Sequence, residues 1–271
     1  MRLKDKVALI TGSGSGIGQE IAVAMAREGA GIVVNDINEA NIAATIEKIR
    51  ESKVPCLGLK CDVSSSEDVK DMFSKIIDKF HTLDILVNNA GITTNDERVN
   101  ENYRKLTEQQ LTTGVGSISL EATRNLSDSD WDTMLKVHLY GTFYCTREAL
   151  KIMEDKRSGK IINISSVCGL AGGVGAPAYS AAKGGIIAFT KSVAAEVIRV
   201  GVYVNCIAPG YIETPFLDTM SSEAKGGVLF VTPLGRLGKA SEIAPLAVFL
   251  ATEDSSYIVG QVISPNGGML L

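Results

Sequence analysis

Long apolar runs, imidazoles, paired cysteines and excess positive charge are all scarce in this chain of 271 residues. No window approaches the roughly 20 apolar residues that a membrane-spanning helix needs. The net charge is −4, and a mildly acidic balance argues against a general nucleic-acid or anionic-membrane surface. Histidine is limited to His81 and His138, which argues against a zinc site, so no metal is expected. The five cysteines (Cys56, Cys61, Cys145, Cys168, Cys206) contain no Cys-x-x-Cys pair and are odd in number. Scattered among apolar residues, they read as reduced, mostly buried thiols of an intracellular protein, so a cytoplasmic location is expected. Residues Met1 to Lys6 lead into only a short apolar run, Val7 to Ile10, too short for a signal-peptide core. No Pro/Ser-rich linker, low-complexity tract or internal repeat divides the chain.

What is present is ordinary globular composition, 45% hydrophobic and 21% charged. Short apolar runs alternate with helical stretches. The runs are Val7 to Thr11, Gly31 to Asp36, Cys56 to Cys61, Leu83 to Val87, Lys160 to Ile164, Val202 to Ile207 and Gln261 to Ser264. Helices are predicted over Ile17–Glu28, Glu39–Ser52, Ser66–Phe80, Trp131–Met153, Ala178–Val200 and Ser241–Thr252. Strands that are apolar throughout and alternate with helices indicate a parallel sheet covered on both faces. Seven of them predict an α/β doubly wound (Rossmann) fold in a single domain, residues 1–271.

One region breaks that rhythm. Thr93 to Leu126 is long, charged and without a strand signal, and reads as an insertion after the fourth strand. Within it Glu97 to Leu111 predicts an amphipathic helix, with Val99, Tyr103, Leu106 and Gln110 along one side, broken by Thr113-Gly114-Val115-Gly116. Ser127 followed by Asp130 reads as a helix start.

Between the first strand and first helix lies Thr11-Gly12-Ser13-Gly14-Ser15-Gly16-Ile17-Gly18. It is not a Walker A loop, since no Gly-Lys-Ser/Thr follows, and it does not match Gly-x-Gly-x-x-Gly. Its physical demand is the same: backbone must approach a pyrophosphate closely at a helix N-terminus, where free N–H groups and the dipole favour anions. Gly12, Gly16 and Gly18 supply the turn, the approach and tight helix–strand packing. Asp36 ends the second strand, eighteen residues past Gly18, where a carboxylate accepts from both ribose hydroxyls of NAD and repels a 2′-phosphate. No Arg or Lys stands at Ser13, Gly14, Ser15, Ile37 or Asn38 to receive such a phosphate, so NAD rather than NADP is expected. The competing reading of Asp36 is a solvated strand-end acid.

Tyr179 and Lys183 are four residues apart in a predicted helix, hence on one face. An ammonium about 4 Å from a phenol favours the phenolate by about 4 kcal/mol at an effective dielectric near 20. That is enough to bring a tyrosine close to the pH where it exchanges protons. By itself such a pair is uninformative, because these residue types meet at this spacing by chance.

Taken in order, these residues resemble the short-chain dehydrogenases/reductases, in their compact single-domain branch, over nearly the whole chain. The glycine turn matches the family's nucleotide turn. Cys61-Asp62-Val63 resembles its adenine-contacting strand end and Asn88-Asn89-Ala90-Gly91 its fourth-strand motif. Ser166, thirteen residues before Tyr179, has the spacing of the catalytic serine, and Pro209-Gly210 with Ile212 and Thr214 resembles the nicotinamide-side loop. The resemblance implies that Tyr179 is the general acid/base and that Ser166 hydrogen-bonds the same substrate oxygen. Lys183 would bind the nicotinamide ribose, lower the tyrosine pKa and pass protons outward. It also implies cofactor contacts from Gly12, Ser15, Gly16, Ile17, Gly18, Asp36, Asp62, Val63, Asn89, Ala90, Gly91, Tyr179, Lys183, Pro209, Gly210, Ile212 and Thr214.

The chain departs from the family pattern at three places. His138 stands where most relatives carry an asparagine that helps hold a water linking the lysine to solvent. The imidazole either relays protons itself or merely fills the slot, while the main-chain carbonyl is kept in both cases. The Thr93–Leu126 insertion is expected to cover or widen the substrate mouth, or to pack on a neighbouring subunit. Ser264-Pro265-Asn266-Gly267-Gly268 replaces the family's usual Val-Asp-Gly-Gly, which puts local C-terminal contacts in doubt.

Relatives form a substrate lid over the segment 211–237. Here Tyr211, Phe216, Leu217, Met220, Val228, Leu229, Phe230 and Leu234, with Val167, Cys168, Leu170 and Val174, imply an apolar pocket, although part of this set reads equally well as core. The expected reaction is NAD-dependent interconversion of a hydrophobic secondary alcohol and its ketone. The rival enzyme is a 3-hydroxyacyl-CoA dehydrogenase or 3-oxoacyl-ACP reductase, for which Arg236 and Lys225 are the candidate cations. A non-catalytic NAD-binding sensor is the rival from another class. By resemblance a homotetramer, or a homodimer, is expected.

Overall fold

A computed structural model describes residues 1–93, 96–217 and 222–271, with the side chains of all but 216 and 222–225. The first half comprises β1 (Val7–Ile10), α1 (Gly16–Arg27), β2 (Gly31–Asp36), α2 (Glu39–Ile49), β3 (Cys56–Lys60), α3 (Ser66–Phe80) and β4 (Ile85–Asn88). The insertion contributes α4 (Glu97–Thr113) and α5 (Ala122–Asn125). Next come α6 (Asp128–Leu135), a π-helical stretch Lys136–Tyr140, α7 (Gly141–Asp155), β5 (Gly159–Ile164), α8 (Val167–Ala171) and α9 (Pro177–Val197). The last part holds β6 (Val202–Ile207), β7 (Ile212–Glu213), α10 (Ser222–Val231), β8 (Gly238–Lys239), α11 (Ala240–Ala251) and β9 (Val262–Ile263).

The apolar runs pair as a seven-stranded sheet in the order β3-β2-β1-β4-β5-β6-β9, every neighbour parallel. Successive side chains on a strand face opposite sides, and both sides are covered. Ala8, Ile10, Ile32 and Val34 pack against Ile21, Met25, Ile42, Ile243 and Ala247 of α1, α2 and α11. Val7, Leu9 and Val33 meet Phe73, Ile76, Cys145, Met153 and Val197 of α3, α7 and α9 on the other side. This is the doubly wound α/β fold that the sequence predicts. Its strand order reverses between β1 and β4, which opens a crevice at the carboxyl edge of the sheet where ligands bind in such folds. Among the described residues no helix is long and apolar enough to cross a membrane.

Side-chain caps start the helices where the sequence places them. Ser65 accepts from Asp68 N at the head of α3, and Ser127 accepts from Asp130 N at 3.0 Å at the head of α6. Two features escape a periodicity reading. The predicted helix Trp131–Met153 is longer, Asp128 to Asp155, and carries one π-helical turn around His138. Such single turns are common at functional sites. In addition, β7 and β8 form a separate short parallel ladder, Ile212 opposite Gly238 and Glu213 opposite Lys239. It ties together the two ends of the 211–237 segment.

The insertion helix forms as expected and ends at Gly114, whose φ of 75° provides the left-handed cap. None of its residues is fully buried. Its apolar side lies on α10 and on the loop after α8.

Candidate active site

The carboxyl ends of β1, β2 and β4 are stitched to one another. Thr11 Oγ1 accepts from Asn89 N at 3.0 Å and Ala90 N at 3.1 Å, and Asn89 Nδ2 donates to the carbonyls of Thr11 and Gly12, both at 3.0 Å. Gly12 has φ +60°, and a Cβ there would lie 2.7 Å from Ala90 Cα. A Cβ on Gly18 would meet the Gly12 carbonyl oxygen at 2.5 Å. Both positions thus demand glycine for stated physical reasons. At the head of α1, Ser15 makes no side-chain cap and no acidic residue occupies the first turn. The first N–H groups of this helix are therefore offered to an anion.

Asp36 is built into this turn. Its Oδ2 accepts from Gly14 N at 3.0 Å and its Oδ1 from Asn38 N at 3.0 Å. An ionised carboxylate has about four acceptor positions, so two remain for hydroxyls. The glycine cradle, the open helix terminus and a strand-end carboxylate together fit the diphosphate and ribose of a nicotinamide dinucleotide.

Ser166 caps α8, its Oγ accepting from Cys168 N at 3.1 Å. Tyr179 lines the same cavity as this hydroxyl. Tyr179 lies in the first turn of α9, whose Pro177 presets the helix start. Lys183 follows one turn later. Its carbonyl accepts from Ser165 Oγ at 2.8 Å, and its Nζ donates to Ile164 O at 2.8 Å.

The charge balance differs from the simple expectation. The Lys183 ammonium lies 5.7 Å from the Tyr179 ring centroid and is held by a β5 carbonyl. Burial therefore prevails over ammonium–phenol attraction. It raises the Tyr179 pKa well above the ordinary phenol range and pulls Lys183 down to about 8.

His138 is buried on the π-helical turn. Its Nε2 lies 3.1 Å from Ile92 N and 2.9 Å from Ile92 O, accepting from the one or donating to the other according to its tautomer, and among the described residues Nδ1 has no hydrogen-bond partner. Burial first, and the Lys183 charge second, lower its pKa to about 3. Of the two sequence readings, a titrating relay and a filled slot, this environment favours a permanently neutral ring. Its carbonyl accepts from Thr142 Oγ1 at 2.7 Å.

These groups line one cavity of about 440 Å³, within the usual range for small-molecule sites. Its walls hold Gly12, Ser15, Gly16, Ile17, Asp36, Asp62, Val63, Asn89, Ala90, Gly91, His138, Ser166, Tyr179, Lys183, Pro209, Gly210, Ile212 and Thr214. Every site residue nominated from the sequence is thus brought together except Gly18, which packs behind the turn. Of the expected apolar pocket, Val167, Cys168, Tyr211 and Leu217 face the cavity. Val228 is buried, whereas Val174 and Phe230 are exposed at the surface. Phe216 and Lys225, as side chains, and Met220 lie outside the described residues. Arg236 is committed to a bidentate pair with Glu242, at 2.7 and 2.8 Å, and is not a free cation for a phosphate. The sequence reading missed the stitching role of Thr11, although its place at the head of the turn was a usable signal.

A family model described as short chain dehydrogenase matches residues 6–225. A hydroxy(phenyl)methylsuccinyl-CoA dehydrogenase subunit, BbsD, of Thauera aromatica is 37% identical over 271 residues, covering 100% of this chain and 99% of that one. The 3-oxoacyl-(acyl-carrier-protein) reductase FabG of Thermotoga maritima is 34% identical over 271 residues, covering 100% of both. The crystal structure of levodione reductase superposes with a TM-score of 0.86 at 31% identity, over 98% of each chain.

Proposed function

The chain belongs to the short-chain dehydrogenase/reductase family of oxidoreductases acting on CH–OH donors with a nicotinamide cofactor, and from that premise we propose that it interconverts a hydrophobic secondary alcohol and its ketone with NAD. The observation that carries the reading is the convergence of Ser166, Tyr179 and Lys183 on the cavity that also holds the glycine turn and Asp36. When bound, nicotinamide supplies the acceptor or donor of the hydride.

The residues of the chain provide the proton and the orientation. The Tyr179 hydroxyl, kept protonated by burial, donates to the oxygen of a ketone as it becomes an alcohol, and in the reverse direction it takes that proton back. Ser166 Oγ, which lines the cavity with Tyr179, reaches the same oxygen and stabilises charge developing on it. Lys183, held by Ile164 O, keeps a cation beside the phenol and the cofactor ribose. His138 packs against Tyr179 and holds its ring in place.

NAD is preferred over NADP on this reading because Asp36 occupies the place a 2′-phosphate would need, and its carboxylate is anchored by Gly14 N and Asn38 N. A second reading, a 3-hydroxyacyl-thioester dehydrogenase, is favoured by the likeness to the CoA-ester dehydrogenase subunit along the full length of both chains. We also propose a homotetramer. The groove between α7 and α9, formed by Phe143, Leu150, Phe189 and Val193 and rimmed by Arg147, Lys151, Glu154 and Glu196, supports it as the self-contact.

Tyr179→Phe tests the enzyme reading. NADH formation over a panel of secondary alcohols should fall by about 100-fold or more, while NAD binding by isothermal titration stays near wild type. A wild-type protein that binds NAD yet turns over no alcohol or ketone would instead indicate a sensor.

A further inference from the structure

Asn266 stands in the stretch where the chain departs from the family's usual Val-Asp-Gly-Gly, and it is buried. Its Nδ2 donates to Ser264 Oγ at 3.0 Å and to Leu270 O at 2.9 Å, while its Oδ1 accepts from Gly268 N at 2.8 Å. The amide thus serves as donor and acceptor at once, around a turn that Gly267 and Gly268 make with φ of 67° and 89°. An ionised aspartate would keep the acceptor and have neither donor. Its second oxygen would face the Leu270 carbonyl, acceptor against acceptor.

This turn is wedged between two parts of the cavity wall. On one side is the nicotinamide-side loop. Ser264 Oγ donates to Ala208 O at 2.7 Å and Gly210 N donates to Pro265 O at 3.0 Å. A Cβ on Gly210 would lie 2.8 Å from Asn266 Cα. Between them the Pro209 carbonyl accepts from Val167 N at 2.9 Å, which joins the loop to the residue after Ser166. On the other side is the end of the 211–237 segment. Leu234 N donates to Gly267 O at 3.0 Å. Cβ atoms on Gly267 and Gly268 would lie 2.8 Å from Thr232 Cγ2 and 3.2 Å from Pro233 Cγ. Packing this close transmits a shift of one part to the other.

We propose that Asn266 is a positioning residue that couples Thr232–Leu234 to the nicotinamide-side loop, so that binding of the dinucleotide steadies both together. The inference rests on the nicotinamide-dependent reading above. Pro209, Gly210, Ile212 and Thr214 line the cavity, so a bound dinucleotide meets the loop directly. The β7–β8 ladder also joins the loop to the 211–237 segment, at Ile212 and Gly238. The Asn266 turn acts farther along, where α10 ends. Coupling of this kind is reciprocal: what holds the loop also holds the end of α10.

The test is amide hydrogen exchange read by mass spectrometry, with and without saturating NAD, in wild type, Asn266→Asp and Ser264→Ala. In wild type NAD should slow exchange over residues 226–235 by about tenfold or more. In Asn266→Asp that slowing should shrink to about twofold or less, while α9 keeps its wild-type exchange and NAD still binds. Ser264→Ala cuts the link to Ala208 and leaves the bonds of Asn266 to Leu270 and Gly268. It should reduce the slowing in the same sense and by less, and it decides the matter if Asn266→Asp fails to fold. For a secondary alcohol that wild type oxidises, Asn266→Asp should raise KM by about tenfold with kcat nearly kept, because the wall moves and the proton-transfer groups do not. Absence of slowing by NAD in wild type overturns the inference. Full slowing in both variants also overturns it and assigns the coupling to the β7–β8 ladder. A wild-type protein that binds no nicotinamide dinucleotide defeats the oxidoreductase reading, and the inference with it. The expected exchange pattern without turnover of any alcohol defeats the oxidoreductase reading alone and supports the coupling.

Discussion

The His138 imidazole meets the Tyr179 ring edge-on, with 5.3 Å between centroids and 87° between planes. The Ile92 main chain meets its Nε2, which accepts from Ile92 N or donates to Ile92 O according to the tautomer, and a Cβ on Gly91 would strike Cε1 at 2.4 Å. The ring is therefore clamped between the β4 loop and the catalytic phenol. It is a positioning residue whose neutrality is set by burial and by the nearby Lys183 ammonium.

That neutrality has a measurable sign. The folded-state pKa of His138 is lowered from 6.5 to about 3, so between those values the unfolded chain holds a proton that the native chain does not. Stability from this group is full above about pH 6.5 and is lost as pH falls toward 3. Between pH 7 and 5 wild type should lose up to about 2 kcal/mol that His138→Asn does not lose, read from urea unfolding at both pH values. The pH profile of turnover above pH 5 should be the same in both proteins. A shifted profile would mean that the imidazole titrates during catalysis.

Asp36→Ala removes the acceptor of Gly14 N and Asn38 N together with the charge that a 2′-phosphate would meet. The kcat/KM with NAD should fall at least tenfold while that with NADP rises or holds. The comparison is made with both cofactors at equal concentration. Continued strong preference for NAD in the variant would show that another group sets the choice.

Gly18→Ala places a methyl group 2.5 Å from the Gly12 carbonyl oxygen, and neither backbone can give way without moving the turn. Overpacking of this kind costs about 1–3 kcal/mol, and for a chain of this size a fall in Tm of roughly 2–4 °C per kcal/mol follows. Differential scanning calorimetry should show that fall, and KM for the nucleotide should rise with it. A wild-type Tm would mean that α1 can shift away from β1 freely.

Asn88 and Asn163 stand opposite each other on β4 and β5 and form a buried polar bridge. Asn88 Nδ2 donates to Asn163 Oδ1 at 2.8 Å and to Thr146 Oγ1 at 3.0 Å, and Asn163 Nδ2 donates to Thr190 Oγ1 at 2.9 Å. The bridge ties α7 and α9 to the sheet beneath the catalytic residues. Asn163→Ala removes one of the two acceptors of the Asn88 amide, leaving one buried N–H unpaired, and should lower stability by about 1–3 kcal/mol, seen as a lower urea midpoint with unchanged slope. An unshifted midpoint would show that water replaces the lost partner.

Much of this protein is a matter of local periodicity, and that part is legible in the chain itself. Apolar runs such as Val7–Ile10 and Val202–Ile207 are strands because no other element buries so short an all-apolar segment on both faces. Ser127 announces α6 because a hydroxyl at that place satisfies a free N–H. Gly12 to Gly18, Asp36, and the spacing from Ser166 to Tyr179 and Lys183 are short-range patterns too, and all of them return to one cavity or the turn behind it. Other properties depend on what is folded against what, and the tertiary structure alone decided them. The i, i+4 spacing of Tyr179 and Lys183 foretold an ammonium lowering a phenol pKa. Burial instead raises the one and lowers the other, since desolvation is set by every element packed around the pair. His138 is neutral because Ile92 and Tyr179 enclose it. Tyr103 comes to lie against Gly227 because α4 packs on α10. None of these contacts leaves a trace in the spacing of residues, for each is made between segments that meet only when the sheet has formed.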